Sequence, residues 1–304
     1  MTEYKIARLT PDQAAPFGHL TFPSLGSRIE RLPPAWFLIG ASDGLGPLGL
    51  AIAHPAGTAG DFLLSSISVA PAHRRHGIGR ALLRAVEAEV EDRKGRRLHA
   101  RFVSTVKNAA FVGLTGALHW SQPRIAGIHI VGEAGTMAEA LTGWWQANNR
   151  ASRLTNYSFE PWQQPADVDL DALARLRGQR SYRPVLDFER FAAAIDPVCS
   201  LQVRRAGELV GWIVATSFQG ARAARYGNRV ARLYPSSYLD ERLWQSGILT
   251  AGYWRALTRQ CEAYGRDSIA EYFTDYPRHI AWSRRRAAPI VLSMEEIHEV
   301  GKLL

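Results

Sequence analysis

The chain has 304 residues, 46% of them hydrophobic and 21% charged, which is enough apolar side chain to bury one large core or two modest ones. Its formal charge of +9 and pI near 9.9 point to a polyanionic partner, a phosphate-rich cofactor or a nucleic acid, without choosing between them. No apolar run approaches the about 18 residues of a membrane span, and Met1-Thr2-Glu3-Tyr4-Lys5 lacks the basic-then-apolar layout of a secretory signal, so a cytoplasmic location with no membrane partner is expected.

Nearly all of the positive charge is arginine, whose planar fork suits phosphate, although GC-rich coding produces the same bias. No block of consecutive basic residues exceeds Arg284-Arg285-Arg286, so a basic tail of the disordered nucleic-acid-binding kind is not expected. Cys199 and Cys261 lie far apart with no second cysteine or histidine at ligand spacing. Buried reduced thiols are expected there, with neither a disulfide framework nor a metal site.

In chain order, Trp36-Phe37-Leu38-Ile39, the turn Ser42-Asp43-Gly44 and Leu48 to Ala53 read as a β-hairpin. A third strand runs from Phe62 to Val69 and is closed by Pro71. Leu82, Leu83, Val86 and Val90 then recur at helical spacing, with Arg84, Glu87, Glu91 and Asp92 on the other side, which predicts an amphipathic helix ending near Gly95. Arg97 to Val103 reads as a strand, Asn108 to about Leu118 as a helix and Arg124 to Val131 as a strand. The second half repeats this order. Cys199 to Val203, a turn at Ala206-Gly207-Glu208 and Leu209 to Ala215 copy the opening hairpin, with Gly211 standing where Gly49 stands. A strand at Arg229 to Tyr234, a helical stretch from about Glu241 to Tyr264, a strand at Ser268 to Phe273, a helix around His279 to Ala287 and a strand from Ile290 complete an expected internal duplication. Asn148 to Asp169, with Pro161 and Pro165, is the expected linker.

The segment after Val69 carries the chemistry. The first turn of a helix has unpaired amides and the positive end of the dipole, and glycine lets an anion approach that backbone. His73-Arg74-Arg75-His76 followed by Gly77 and Gly79 at a helix start is therefore a phosphate site. The third glycine of a dinucleotide fingerprint is missing, and there is no glycine-lysine-serine/threonine run for a P-loop.

Val69-Ala70-Pro71-Ala72-His73-Arg74-Arg75-His76-Gly77-Ile78-Gly79-Arg80-Ala81-Leu82-Leu83 resembles motif A of the GNAT (Gcn5-related N-acetyltransferase) superfamily, whose pattern is Gln/Arg-x-x-Gly-x-Gly/Ala. The resemblance implies an α/β (α+β) fold of two GNAT-like lobes, each a mixed, mostly antiparallel twisted sheet flanked by helices. It implies acyl-CoA, acetyl-CoA first among the choices, lying between splayed strands with its pyrophosphate on the amides from about Arg75 to Arg80. The donor contacts implied are Ser68, Val69, Arg74, Arg75, His76, Gly77, Ile78, Gly79 and Arg80. Asn108-Ala109-Ala110-Phe111 resembles the element whose asparagine contacts the pantetheine arm, and Leu118-His119-Trp120 resembles the leucine-glycine-phenylalanine that ends the same helix. Residues 1–147 are expected to form the donor-binding domain, 148–169 the linker and 170–304 a degenerate copy, since Ser246-Gly247-Ile248-Leu249 keeps one glycine and no arginine three before it.

Two departures bear on mechanism. Many family members place a glutamate on the strand before motif A and a tyrosine on the later helix; here the strand offers Ser65, Ser66 and Ser68, and the helix Leu114 and Thr115. An attacking amine must lose a proton, and histidine titrates in the right range, which makes His54, His119 and His129 the candidate bases beside an ordinary structural role, with water held by backbone carbonyls as the alternative. The tryptophans Trp144 and Trp145 and the set Tyr226, Tyr234, Tyr238, Trp244, Tyr253 and Trp254 are core formers first and acceptor-pocket candidates second. The leading function is acyl transfer from acyl-CoA to a small-molecule amine, with an amide near Val69 holding the developing oxyanion. The alternatives are a GNAT-fold aminoacyltransferase that takes its donor from aminoacyl-tRNA, and a non-catalytic CoA-binding regulator.

Overall fold

The computed structural model describes residues 3–57, 59–105, 108–147, 154–218 and 224–304, and it divides into two compact units, Met1–Ala126 with Glu296–Leu304, and Gly127–Glu295. In the first unit the strands are β1 (Lys5–Leu9), β2 (Phe37–Asp43), β3 (Gly46–Pro55), β4 (Asp61–Val69), β5 (Arg97–Val103) and the end of β12 (Ser293–Leu303), in that spatial order. Neighbours are antiparallel except β4 and β5, which run parallel. Between β1 and β2 lie the one-turn helices α1 (Pro11–Ala14) and α2 (Pro23–Gly26). Thr10 caps α1, taking the Gln13 amide on its side chain while the Gln13 side chain returns to the Thr10 amide.

Helix α3 (Ile78–Asp92) sets its apolar stripe, Ile78, Leu82, Leu83, Val86 and Val90, against Phe37, Ile39, Ala51, Phe62, Leu64, Leu98 and Ala100. Helix α4 (Ala109–Ala117) packs on the same side through Phe111 and Leu114. On the other face Phe17, Leu20, Leu25 and Ile29 cover Leu38, Leu50 and Ile52.

Two irregularities in β4 make room for a site. The register shifts between Ile52 and Ala53, so Ser66 faces Ile52 and Leu64 faces Ala53, leaving Ser65 as a bulge. The bulge resets the alternation, and Phe62, Leu64, Ile67 and Val69 all reach the α3 side. Pairing of β4 with β5 stops at Leu64–Ala100, so the last residues of the two strands leave a notch between them.

The second unit repeats the plan with β7 (Tyr157–Pro161), β8 (Leu201–Arg205), β9 (Glu208–Ser217), β10 (Ala231–Leu239), β11 (Ile269–Thr274) and β6 (Arg124–Glu133) side by side. Its helices are α5 (Ala134–Ala147), α6 (Leu170–Arg177), α7 (Ile248–Tyr264) and α8 (Pro277–Arg286). The duplication extends to single atoms. A Cβ on Gly49 would meet the Ser68 carbonyl at 3.0 Å and one on Gly211 the Tyr238 carbonyl at 2.4 Å, so both glycines are required by the neighbouring strand. The Ala70 amide donates to Leu48 O and the Asp240 amide to Val210 O, each at 2.8 Å. Parallel pairing of β10 with β11 also stops after four rungs, at Tyr234–Tyr272. A register shift on the β9 side accompanies it, with Pro235, which has no amide to give a ladder, inside the shift.

The division of the chain differs from the sequence expectation of a first domain at 1–147, a linker at 148–169 and a second domain at 170–304. Strand β6 and helix α5 belong to the second unit, because Ile128 to Glu133 pair with β11. Residues 297–303 return to the first unit, where they pair with β5. The expected linker also holds structure: Tyr157–Pro161 pairs with β8 and Trp162 is buried. Pro161 is accommodated as the last residue of an edge strand. The long second-half helix begins at Ile248, since Glu241–Leu243 forms a separate 3-10 turn. The side chains of Trp144 and Trp145 lie outside the described residues. No described helix is long and apolar enough to cross a membrane.

Candidate functional site

The notch of the first unit opens beside the loop from Ala70 to Gly77. Arg75 and Gly77 both take left-handed backbone angles, with φ of 68° and 84°. An alternation of this kind turns successive amides into one concavity, the nest geometry that binds anions. The first bond of α3 is Ala81 N–H to Gly77 O, and the amides of residues 75–80 find no acceptor among the described residues. Gly79 adds reach. A Cβ there would sit 3.5 Å from Leu114 and 3.7 Å from Val69, ordinary contact distances, so the protein's own packing does not demand a glycine at 79.

Around this cradle Arg74, Arg75, His76 and Arg80 are exposed and Ile78 is buried beneath it. Arg74 is steered by its Nε, which donates to Val69 O at 3.1 Å. The three arginines form no ion pair among the described residues, in contrast to Arg97, Arg175 and Arg204, which are paired with carboxylates. Asn108 donates from Nδ2 to Val103 O at 2.6 Å and so ties the start of α4 to the end of β5. Ser68 and Val69 are half-buried on the length of β4 that pairs with β3 but no longer with β5. A basic cradle with free amides and an open glycine fits a pyrophosphate.

The three histidines singled out in the sequence are not brought to this loop. His54 sits opposite Leu63, toward the other end of β3 from Gly49 and Val69, stacked on Trp36 with its Nδ1 against Pro55 O. His119 is exposed with φ 62° and takes the helix-ending position where the family has glycine. His129 belongs to the second unit, bonded to the buried Glu271 at 2.6 Å. Thr115 returns its hydroxyl to the carbonyls of Phe111 and Val112 inside its own helix. Among the described residues no group of His, Cys, Asp and Glu could hold a metal ion.

Two polar residues that the sequence reading did not single out lie on the face of the sheet away from α3. Glu299 on β12 is buried and receives Arg97 at 2.7 Å, Arg101 at 2.9 Å and Arg124 at 2.6 Å. Burial works to raise its pKa, but the hydrogen bonds from Arg124 and Arg101 prevail and hold it at about 2. His99 on β5 is buried nearby.

The second unit keeps the loop's backbone and closes it. Gly247 has φ 85°, matching Gly77. Trp244 stands in for Arg74, its Nε1 donating to Leu239 O at 2.8 Å. The Ile248 amide is taken by the Ser246 hydroxyl at 3.1 Å, and Leu249, packed against the core, occupies the position of Gly79. Tyr253 reaches Ser237, on the end of β10 that no longer pairs with β11, at 3.0 Å, its ring 6.0 Å from that of Tyr272. Aromatic side chains thus occupy ground that the first unit leaves open.

Residues 6–114 match the model described as the Acetyltransferase (GNAT) family, a stretch that takes in the strand, the nest and the helix of the first unit. The full length has the fold of tandem GNAT proteins. A tandem GNAT protein from the clavulanic acid biosynthesis pathway aligns over 99% of this chain and 98% of its own, with a TM-score of 0.64 at 14% identity. A GCN5-related N-acetyltransferase from Sphaerobacter thermophilus covers 97% of this chain and 95% of its own, with a TM-score of 0.55 at 15% identity. A glucosamine N-acetyltransferase region of a fungal multi-domain GH3 β-N-acetylglucosaminidase covers 99% of this chain and 38% of its own, with a TM-score of 0.67 at 9% identity. A comparison with curated protein sequences gives no match.

Proposed function

We propose that the first unit binds acyl-CoA, acetyl-CoA first among the choices, and transfers its acyl group to the amine of a small molecule. The observation that carries this reading is the set of amides from Arg75 to Arg80, around Gly77 and Gly79, that have no acceptor among the described residues. The chain's own parts then have defined tasks. The nest and Arg74, Arg75 and Arg80 hold the diphosphate. Asn108 keeps the far side of the notch in place through Val103, and an amide near Val69, on the edge of β4 that β5 leaves open, steadies the carbonyl oxygen as charge grows on it. With Leu114 where the family has tyrosine, the departing thiolate leaves without a phenol donor, which its own acidity allows near neutral pH. The second unit contributes scaffold or acceptor binding, its loop being self-capped.

A second reading, transfer from aminoacyl-tRNA, is favoured by the exposed arginines Arg278, Arg284, Arg285 and Arg286 on α8. Salt separates the two. A CoA donor engages a few groups, so its affinity falls modestly as salt rises. A tRNA donor spread over many arginines gives a steep linear fall of log affinity with log salt, roughly 0.7 to 0.9 per phosphate neutralised. The test offers both donors to a panel of amines and follows product mass. Acyl transfer from CoA supports the proposal; transfer abolished by ribonuclease, with none from any acyl-CoA, refutes it.

A further inference from the structure

Strand β1 enters the sheet at the end where β4 runs out at Val69, and the residue just before it reaches the phosphate cradle. The ladder fixes its level. Lys5 pairs with Ser42 and Asp43 with Gly46, so Tyr4, one rung further out than Lys5, stands opposite Asp43. Alternation sends every second side chain of β1 to one face. Ile6 packs in the α3 core and Arg8 pairs with Glu89 of α3 at 3.0 Å, so Tyr4 shares that face, and its ring packs against the same cluster. Its hydroxyl ends beside the nest. A Cβ built on Gly77 would have the Tyr4 Oη at 3.8 Å and, apart from the adjoining residues, no other described atom within 4 Å. Since a Cβ lies about 1.5 Å from its Cα, the hydroxyl is within about 5.3 Å of the Gly77 Cα. A phosphate group that accepts charge-assisted bonds of about 2.5–2.9 Å on separate oxygens spans that gap. The hydroxyl makes no hydrogen bond among the described residues, which leaves its proton for such an acceptor.

The second unit supplies a comparison within the same chain. Tyr157 faces Arg205, the residue before the β8–β9 turn, as Tyr4 faces Asp43 before the β2–β3 turn. Its ring packs in the cluster of Ile248, the first residue of α7. Packing is thus common to both rings. The difference lies in what the hydroxyl can meet, because the second loop is closed by Ser246 and Leu249 and the first is open. We propose that Tyr4 is a CoA-binding residue of the first unit, its phenol O–H donating to a diphosphate oxygen seated at Gly77; the proposal rests on the acyl-CoA reading above. The phenol closes the cradle from the β1 side, opposite the arginines that the loop and α3 supply, and its bond is strengthened by the negative charge of the acceptor.

The test titrates the full chain calorimetrically with CoA and with dephospho-CoA, which keeps the diphosphate and lacks the extra phosphate on the ribose. Tyr4→Phe keeps the ring and removes one donor. It is expected to melt like wild type without ligand and to bind both compounds roughly 10-fold or more weakly. Tyr157→Phe, the matched change in the second unit, is expected to bind CoA as wild type does. In wild type carrying isotope-labelled tyrosine, the ring resonance of Tyr4 is expected to move when CoA is added. A Tyr4→Phe protein that binds CoA as tightly as wild type overturns the assignment of Tyr4 alone. So does a loss seen with CoA but not with dephospho-CoA, which puts the hydroxyl on the ribose phosphate, and so does an equal loss in Tyr157→Phe. A Tyr4 resonance indifferent to bound CoA overturns it even if the variants fail to fold. A wild-type protein that binds neither compound overturns the underlying reading together with this one.

Discussion

Substitution of the two loop glycines separates packing from ligand binding. Gly77 has φ 84°, so alanine there is strained by about 1–2 kcal/mol whatever occupies the loop. Gly79 lies in the first turn of α3 with no positive φ, and an added Cβ meets Leu114 and Val69 at ordinary distances of 3.5 and 3.7 Å. Gly79→Ala should therefore leave the unliganded fold unchanged or slightly more stable, since alanine gains up to about 1 kcal/mol over glycine in a helix. Gly79→Val directs two methyl groups toward the concavity. Losing one charge-assisted amide–phosphate bond costs about 1.5–3 kcal/mol, which is roughly 10- to 150-fold in Kd. The assay pairs calorimetric titration with CoA and thermal unfolding without it. A Gly79→Val protein that melts like wild type and binds CoA equally well would refute the assignment of the cradle.

Calorimetry on the wild type should also give one CoA per chain, because Ser246 and Leu249 close the second loop; two equivalent sites would show that loop to be open. Glu299→Gln tests the three-arginine cluster. The carboxylate is held down to about 2, so its contribution is fully present above the ordinary glutamate range and is lost as pH falls toward 2. Acid titration of stability should therefore be shallower in Glu299→Gln than in wild type over that interval, and the variant should be the less stable of the two at pH 7.

Much of this was legible because it is local. A strand, a proline, a basic loop and two glycines before an amphipathic stripe specify the cradle within about 25 residues, and a glycine forced by a neighbouring carbonyl leaves the same mark at Gly49 and Gly211. The segment from Thr10 to Arg31 escaped notice because its helices are single turns, too short to show a period. His99 escaped because Arg97-Leu98-His99-Ala100-Arg101 alternates like a half-solvated strand. What buries it is β12, some 200 residues away, and strand partners that distant leave no local signature. The same cause hid the true domain boundary: the repeat unit predicts strands at both 124–133 and 293–303 without indicating that each completes the other unit's sheet.

That exchange has a consequence for synthesis. A ribosome adding about 5–20 residues per second needs roughly 10–35 s to travel from the end of the first stretch at residue 126 to residue 296. Throughout that interval β5 lacks the neighbour that will finally pair with it, and an open edge invites association between nascent chains. Arg97, which also reaches Asp61 at 3.8 Å, Arg101 and Arg124, later neutralised in part by Glu299, then stand as three like charges along or beside that edge. The same arginines that lock the finished sheet can act earlier as guards, repelling another copy of the strand until the chain's own last segment arrives.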